Sequence, residues 1–471
     1  MNPSVNDDSN TITIIGAGLA GTLLGIHLAR RGYQIDIYER FPDQRIEQVP
    51  SGRSINLALA ARGRKALADA LPEQALLKAV DEFTIPMRGR MLHDERGETR
   101  LQRYSQFDDE VIYSVHRDRL NACLLAAADQ QAGLHMHFDR ELQAVDFASR
   151  ELHFIEPHNN TIHHASYQRV IGCDGAGSNL RQQMQQHTDL SVESRMLDHG
   201  YLELTVPAAA DGSPQLELQA LHIWPRGGYM MIALPNPDQS FTATLFLPHQ
   251  GDPGFASLSK PASMHSFLQQ QFADLYPLLT QLDDDLQRPV GKMGTLYCEP
   301  WHSADQAMLL GDAAHAIVPF HGQGMNAAFE DISVLMQQLD AEPDTPDWKA
   351  LFSDFSNQRK PDTDAIAAMA LENYHTMRDA VRDPRFHLKK QLEWALEKRF
   401  PEQFIPRYSM VMFRHIPYAE ALARDQRQQL AVEQLLSDAG DEPANIDWQQ
   451  AENAITKMNS FCNYAPASEH L

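Results

Sequence analysis

The feature that most constrains the fold is a glycine cluster set between a strand and a helix. Thr11-Ile12-Thr13-Ile14-Ile15 is a β-branched run that stops at Gly16-Ala17-Gly18-Leu19-Ala20-Gly21. Leu19, Leu23, Leu24 and Leu28 then recur at helical spacing as far as Arg31-Gly32, and QIDIY (34–38) reads as a second strand. Strand, glycine turn, helix and strand within about 30 residues make a βαβ unit. Gly16 permits the sharp turn, Gly18 lets a pyrophosphate approach the backbone, and Gly21 lets helix and strand pack closely. The helix N-terminus offers free N–H groups and partial positive charge to phosphates. Glu39 closes the second strand, where a carboxylate accepts both hydroxyls of an adenosine ribose.

Two further loops repeat the logic of a strand ending at a ligand. Gly311-Asp312-Ala313-Ala314-His315 follows the apolar run AMLL (307–310), so Asp312 is expected to face the same crevice. His321-Gly322-Gln323-Gly324-Met325-Asn326 comes next, and a helix should begin near Gln323. Its glycines free the backbone to lie against a flat ring, and the helix behind aims its positive end at that ring. Such a site favours a reduced isoalloxazine, which gains negative charge. His315 and His321 are as well explained by packing as by chemistry. Asp174-Gly175-Ala176-Gly177-Ser178-Asn179-Leu180-Arg181 follows the strand-like RVIGC, and a salt-bridged loop is the competing account of it.

Composition removes several classes. With 63 Asp+Glu against 40 Lys+Arg, the net charge is −23, unsuited to nucleic acid or an anionic membrane face. Four cysteines without a CxxC pair make neither a disulfide framework nor a zinc site. They point to a reducing cytoplasm. No apolar run reaches the ~18 residues of a spanning helix, and the ends MNPSVNDDSN and NSFCNYAPASEHL are polar, so no membrane anchor is expected.

The expected organisation is α/β. A disordered tail (1–10) precedes a discontinuous cofactor domain (11–195 with 290–345). An antiparallel-sheet substrate domain (196–289) is read from HGYLELTV, LQALHIW, GYMMIAL and SFTATLFL. Residues 346–471 read as helical, with Leu388, Leu392 and Leu396 on one face of 386–400. Residues 60–130 read as mostly helical, interrupted by turns near 93–110. The acidic segment 431–471 reads as a solvated helical surface.

The three loops in this order resemble the FAD-dependent aromatic hydroxylases, the class A flavoprotein monooxygenases. The resemblance implies a Rossmann-like FAD-binding domain of the p-hydroxybenzoate hydroxylase type. It narrows, through RSINLAL (53–59), MRGRM (87–91), PFHGQGMN (319–326), MALENY (369–374) and FIPRYSM (404–410), to the branch that hydroxylates L-kynurenine. FAD contacts are then expected from Gly16, Gly18, Ala20, Gly21, Tyr38, Glu39, Arg40, Arg53, Ala58, Arg117, Leu142, Asp174, Asp312, Gly324, Met325 and Asn326. Arg90 and Tyr104 would hold the substrate carboxylate, and Asn373 and Tyr408 would complete recognition. Leu221, Met230, Ile232, Phe246, Phe320 and His321 are expected to line the pocket. A surface arginine beside Arg88, and plain packing for the others, are the competing accounts.

The resemblance also implies the chemistry. NADPH reduces FAD, O2 forms a C4a-hydroperoxide, and its distal oxygen goes to the ring carbon ortho to the aniline nitrogen. No catalytic side chain is expected, because the flavin does the chemistry and the amino group already activates that carbon. Two rivals stay open: a hydroxylase of another aromatic acid, and a flavin-holding protein without turnover. NADPH over NADH is not read from the residues, and a homodimer is left open.

Overall fold

The computed structural model describes residues 10–47, 56–342, 345–378 and 384–460. The strand Thr11–Ile15 lies inside a six-stranded sheet. Arg169–Gly172 and Gln34–Tyr38 flank it in parallel. Ala307–Leu309 and Leu134–His137 extend the parallel order outward, and His302–Ser303 pairs antiparallel at one edge. Ile12, Thr13, Ile14 and Ile15 are all buried, as a strand covered on both faces requires. The helix Leu19–Ala29 is buried at every position except Ala20.

A seven-stranded sheet forms the second layer, in the order 291–299, 191–206, 241–248, 230–235, 220–225, 89–93, 99–103. The four strand-like runs of 199–247 are all there, as strands Ser191–Val206, Ala220–Pro225, Met230–Pro235 and Phe241–Pro248. The helical reading of 60–130 needs correction. Ile85–Met87, Gly89–His93, Thr99–Arg103 and Ile112–His116 are strands. GRMLH and TRLQR carry too much charge to announce themselves locally. Gly89–His93 is held as a strand by the distant Ala220–Pro225, where Arg90 lies opposite Leu221, and Thr99–Arg103 adds to it as the antiparallel edge.

The pleat divides this sheet into two faces. Leu202, Leu204, Trp224, Met231, Ala233, Ala243, Leu245 and Leu247 pack one face against the helix Pro261–Gln271. Tyr201, Ile223, Met230 and Phe246 belong to the other face, with Val318, Phe320, Ala370 and Tyr374 packed on it. Cross-strand register puts Arg90 beside Leu221, Ile223 beside Ile232, and Ile232 beside Thr244 on that second face. One sheet therefore packs against a helix on one side and against the 318–320 and 370–374 segments on the other.

A buried charge cluster joins these layers. Asp331, fully buried, accepts from the Gly311 amide at 3.1 Å and pairs with His315 Nε2 at 2.6 Å. Arg359 Nε donates to its other oxygen at 2.9 Å, and the same guanidinium pairs with Glu330 and Asp362. Burial alone would raise the Asp331 carboxyl, but His315 and Arg359 hold it below the usual range.

The C-terminal helices are Trp348–Arg378, Pro384–Arg399, Arg407–Met412, Tyr418–Asp438 and Trp448–Ser460. Over 431–460 the solvated reading gives way to an amphipathic one. Val432, Leu435, Leu436, Ala451 and Ile455 pack against Leu392 and Leu396. Among the described residues, no helix is long and apolar enough to cross a membrane.

Removing one member of a buried charge pair strands the other. Asp331→Ala is expected to cost about 3–5 kcal/mol and to lower the thermal midpoint by several degrees. A melt followed by circular dichroism at pH 7 measures this. A wild-type midpoint would deny the cluster its structural role.

Candidate active site

Four neighbouring strands of the parallel sheet end at one crevice. Gly16 follows the 11–15 strand, Glu39 the 34–38 strand, Asp174 the 169–172 strand and Asp312 the 307–309 strand. Crevices at the carboxyl ends of parallel strands are where such sheets bind ligands. Gly16 sits at φ +102°, and a Cβ there would lie 2.7 Å from the Cys173 carbonyl oxygen. A Cβ on Gly21 would lie 2.0 Å from the Gly16 carbonyl oxygen, so helix and turn touch without side chains between them. Gly18, the N-cap, has nothing within 4 Å of that position, which leaves open space before the first helical amides.

Glu39 reaches back to this turn. Its carboxylate accepts from the Ala17 amide at 2.8 Å and the Phe41 amide at 3.0 Å. Burial, opposed by those two bonds, raises its pKa. Asp174 caps the next helix, accepting from the Asn179 and Leu180 amides, while its Oδ1 is buried without a partner. Arg181 makes no ion pair with it. The guanidinium donates instead to the Ala313 and Ala176 carbonyls, so the salt-bridged-loop account fails. Asp312 is exposed and opens the short helix Asp312–His315, while His315 turns inward to Asp331.

Several expected FAD contacts have other partners. The Tyr38 ring is stacked between His137 at 4.5 Å and Phe154 at 4.3 Å. Arg40 is exposed and lies over the Phe41 ring. Leu142 is buried, with its carbonyl taken by the Asn179 amide group. Asn326 is fully buried. It accepts from the Ala60 amide at 2.9 Å and donates to the Ala58 and Gly322 carbonyls, holding the loop to the 56–59 strand. Arg117 is exposed at the start of the helix Arg117–Ala128. Ala20, Ala58, Gly324 and Met325 are part-exposed around the crevice. Arg53 lies outside the described residues.

On the sheet side, Arg90 is buried, and its guanidinium carbon lies 5.1 Å from the Tyr408 ring centroid and 5.8 Å from that of Tyr104. The two phenol rings stack at 5.0 Å, and His321 lies parallel to Tyr408 at 5.8 Å. Arg90 Nε, His321 Nδ1 and Thr244 Oγ1 are all buried without hydrogen-bond partners, and the Tyr104 hydroxyl is buried beside Tyr408 and Arg90. Unpaired buried donors are costly, and several together mark a site built for a polar ligand. Burial raises both phenols and pushes the His321 imidazole down to about 3, so all three are neutral at pH 7 and Arg90 is the fixed cation among them.

The residues expected to line the pocket come together on one face of the sheet. Met230, Phe246 and Phe320 are buried in one cluster, with Leu221 and Ile232 packed against it. Phe320 meets Phe246 edge-on at 4.9 Å and stacks on Tyr374 at 4.0 Å. Tyr374 and Thr244 were missed by sequence reasoning, though each has a signal: Tyr374 follows Asn373, and Thr244 alternates with Phe246. Asn373 donates to the Phe320 carbonyl at 2.6 Å, fastening the loop to the helix 348–378. A separate cleft of about 520 Å³ is lined by His116, Arg119, Glu203, Asn236, Thr242 and Arg288 and includes none of the expected substrate residues.

A family described as FAD binding domain matches residues 9–368. Kynurenine 3-monooxygenase of Stenotrophomonas maltophilia (strain K279a) is 48% identical over 451 residues, covering 95% of this chain and 96% of its own. The enzyme of the same name from Xanthomonas campestris pv. campestris (strain B100) is 47% identical over 446 residues, 94% and 96% of the two chains. The chain belongs to the kynurenine 3-monooxygenase family. It is therefore a flavin-dependent aromatic monooxygenase that uses FAD. A solved structure of a probable FAD-dependent monooxygenase from Pseudomonas aeruginosa shares the fold, with TM-score 0.62 and 21% identity over 79% of this chain and 97% of that one. So does tetrameric 2-methyl-3-hydroxypyridine-5-carboxylic acid oxygenase, with TM-score 0.62 and 17% identity over 79% and 93%.

The crevice fits the family's cofactor. Open space at Gly18 would admit a pyrophosphate to the helix N-terminus, and the Glu39 oxygens keep lone pairs that could take ribose hydroxyls. Gly21→Val drives a side chain into the Gly16 carbonyl. It is expected to yield protein without bound flavin, read from the ratio of 450 to 280 nm absorbance.

His321, and His27 with a pKa of about 4, are neutral in the native state. Below about pH 6.5 the unfolded chain takes protons that these sites refuse, so stability falls with pH at about 1.4 kcal/mol per unit for each. At pH 5 His321 alone accounts for about 2 kcal/mol. Urea midpoints of wild type and His321→Phe at pH 7 and 5 measure that share. The variant should lose less on acidification.

Proposed function

We propose that the protein hydroxylates L-kynurenine to 3-hydroxy-L-kynurenine, consuming NADPH and O2 and releasing NADP+ and water. The observation that carries this reading is the buried, unpartnered Arg90 Nε beside the Tyr104 and Tyr408 rings, at the edge of an aromatic-lined wall. FAD, when bound at the crevice, supplies hydride acceptance and oxygen activation.

The side chains do the rest. Arg90 offers its planar guanidinium to the substrate carboxylate, a two-pronged match that a lysine lacks. Tyr104 adds a neutral hydroxyl donor, and Tyr408 closes over the guanidinium. The neutral His321 adds no competing cation. Phe246, Phe320, Met230, Leu221 and Ile232 receive the aromatic ring and exclude water, which an oxygen-transferring site requires. Asn373 acts by holding Phe320 in place. Arg407 pairs with Glu372 and Asp425, which keeps the Tyr408 helix against the 348–378 helix.

In this reading 11–195 with 290–345 hold the cofactor, 196–289 present the substrate wall, and the helices after Pro346 cover it. Cys123, Cys173 and Cys298 are free thiols, which supports a cytoplasmic setting.

NADPH oxidation by the FAD-loaded protein should rise on addition of L-kynurenine, with matching 3-hydroxykynurenine by chromatography. No stimulation, or stimulation with peroxide as the sole product, would exclude the activity. Arg90→Met should raise KM at retained flavin content, with a loss of about 1.5–3 kcal/mol in kcat/KM. An unchanged KM would remove Arg90 from carboxylate binding.

A further inference from the structure

We propose that Glu151, His153 and His164 form a binding site for one divalent transition-metal ion of the zinc class, on the outer face of a three-stranded meander. The meander consists of Glu141–Asp146, Glu151–Ile155 and Ile162–Ser166, paired antiparallel. Leu152 and Phe154 point inward and are buried, so Glu151 and His153 share the opposite, outward face. His164 is the direct cross-strand partner of His153. Three ligand-bearing side chains thus stand together on two hydrogen-bonded strands.

The donor atoms already converge. All three lie within 4.8 Å of one another. His164 Nδ1 is 2.7 Å and His153 Nε2 is 3.3 Å from the same Glu151 oxygen, and the imidazole centroids are 4.5 Å apart. An ion held at ~2.0–2.1 Å by tetrahedral ligands sets its donors about 3.3 Å apart. His153 meets that spacing toward Glu151. His164 has to open from Glu151 by about 0.6 Å, and the two imidazole nitrogens, within 4.8 Å of each other, have to settle to the same spacing, which half-exposed side chains allow. Asp146, opposite Glu151 on the first strand, adds negative charge nearby.

The donor set selects the ion. Two imidazoles and one carboxylate suit zinc, nickel or copper, whereas magnesium and calcium take oxygen ligands. The remaining coordination positions face solvent, so water completes the shell. The ion would clip the second strand of the meander to the third. The same second strand carries Phe154, which stacks on Tyr38 of the parallel sheet.

The test uses full-length, FAD-loaded protein without a polyhistidine tag, stripped with EDTA and moved into chelator-free buffer. Calorimetric titration with zinc chloride at pH 7.5 should give one ion per chain and a raised thermal midpoint, and magnesium chloride should give neither. His153→Ala and His164→Ala should each weaken zinc binding by roughly tenfold or more, since ligand loss costs at least what loss of an outer-shell partner does. Flavin content and circular dichroism should be unchanged in both. Paramagnetic resonance of one Cu2+ equivalent on wild type should count two nitrogen donors, independently of how any variant folds. Zinc binding undiminished in both variants, no saturable binding, or fewer than two nitrogen donors would each overturn the proposal.

Discussion

The architecture depends on a carboxylate with no access to water. Asp331 takes the Gly311 amide from the end of a parallel strand, His315 from the short helix beyond it, and Arg359 from the long C-terminal helix. A buried anion is tolerable only when its lone pairs are filled by donors, and here three chain segments supply them. The cofactor crevice and the helices that cover the substrate wall are thereby anchored to one point. The helix that begins at Trp348 passes Arg359 at this anchor and reaches Asn373 at the aromatic wall.

The seven-stranded sheet turns the same economy to a different end. Its inner face is plain core. Its outer face differs by a handful of polar positions: Arg90, Thr244, and the tyrosines that approach from neighbouring segments. Arg90 Nε and Thr244 Oγ1 lack hydrogen-bond partners, beside a cluster of apolar side chains on the same face. Under the proposed function, the wall receives the aromatic ring and the Arg90 guanidinium receives the carboxylate.

Legibility from the sequence followed the range of the interactions. Gly16, Gly18 and Gly21 were readable because their task is local backbone geometry, decided within one βαβ unit, whereas the bond from the Ala17 amide to Glu39 was not foreseen. The four strands of 191–248 were readable because alternation is written residue by residue. The strands 89–93 and 99–103 were not, since the first needs the distant 220–225 as its partner and the second is an edge strand on the first. Asn326 shows the same limit. It sits in the first turn of the helix Gly324–Ala341, behind the glycine loop, yet its amide oxygen is claimed by Ala60, 266 positions away. Tyr38 is likewise claimed by His137 and Phe154 from other strands. A motif tells which backbone comes near a ligand; it does not tell which side chains were recruited to hold that backbone still.

One contact between distant segments has a consequence for descent. Gln323, the N-cap of the helix Gly324–Ala341, accepts a hydrogen bond from the Tyr418 hydroxyl at 2.7 Å and donates to the Met412 sulfur. Arg62 bonds the Val411 and Ile416 carbonyls and lies under the Tyr418 ring. The flavin loop and the 411–418 segment are therefore not free to drift separately. Among descendants of this sequence, an exchange at Tyr418 leaves a buried amide unanswered, and lineages that carry one should carry a matching exchange at Gln323.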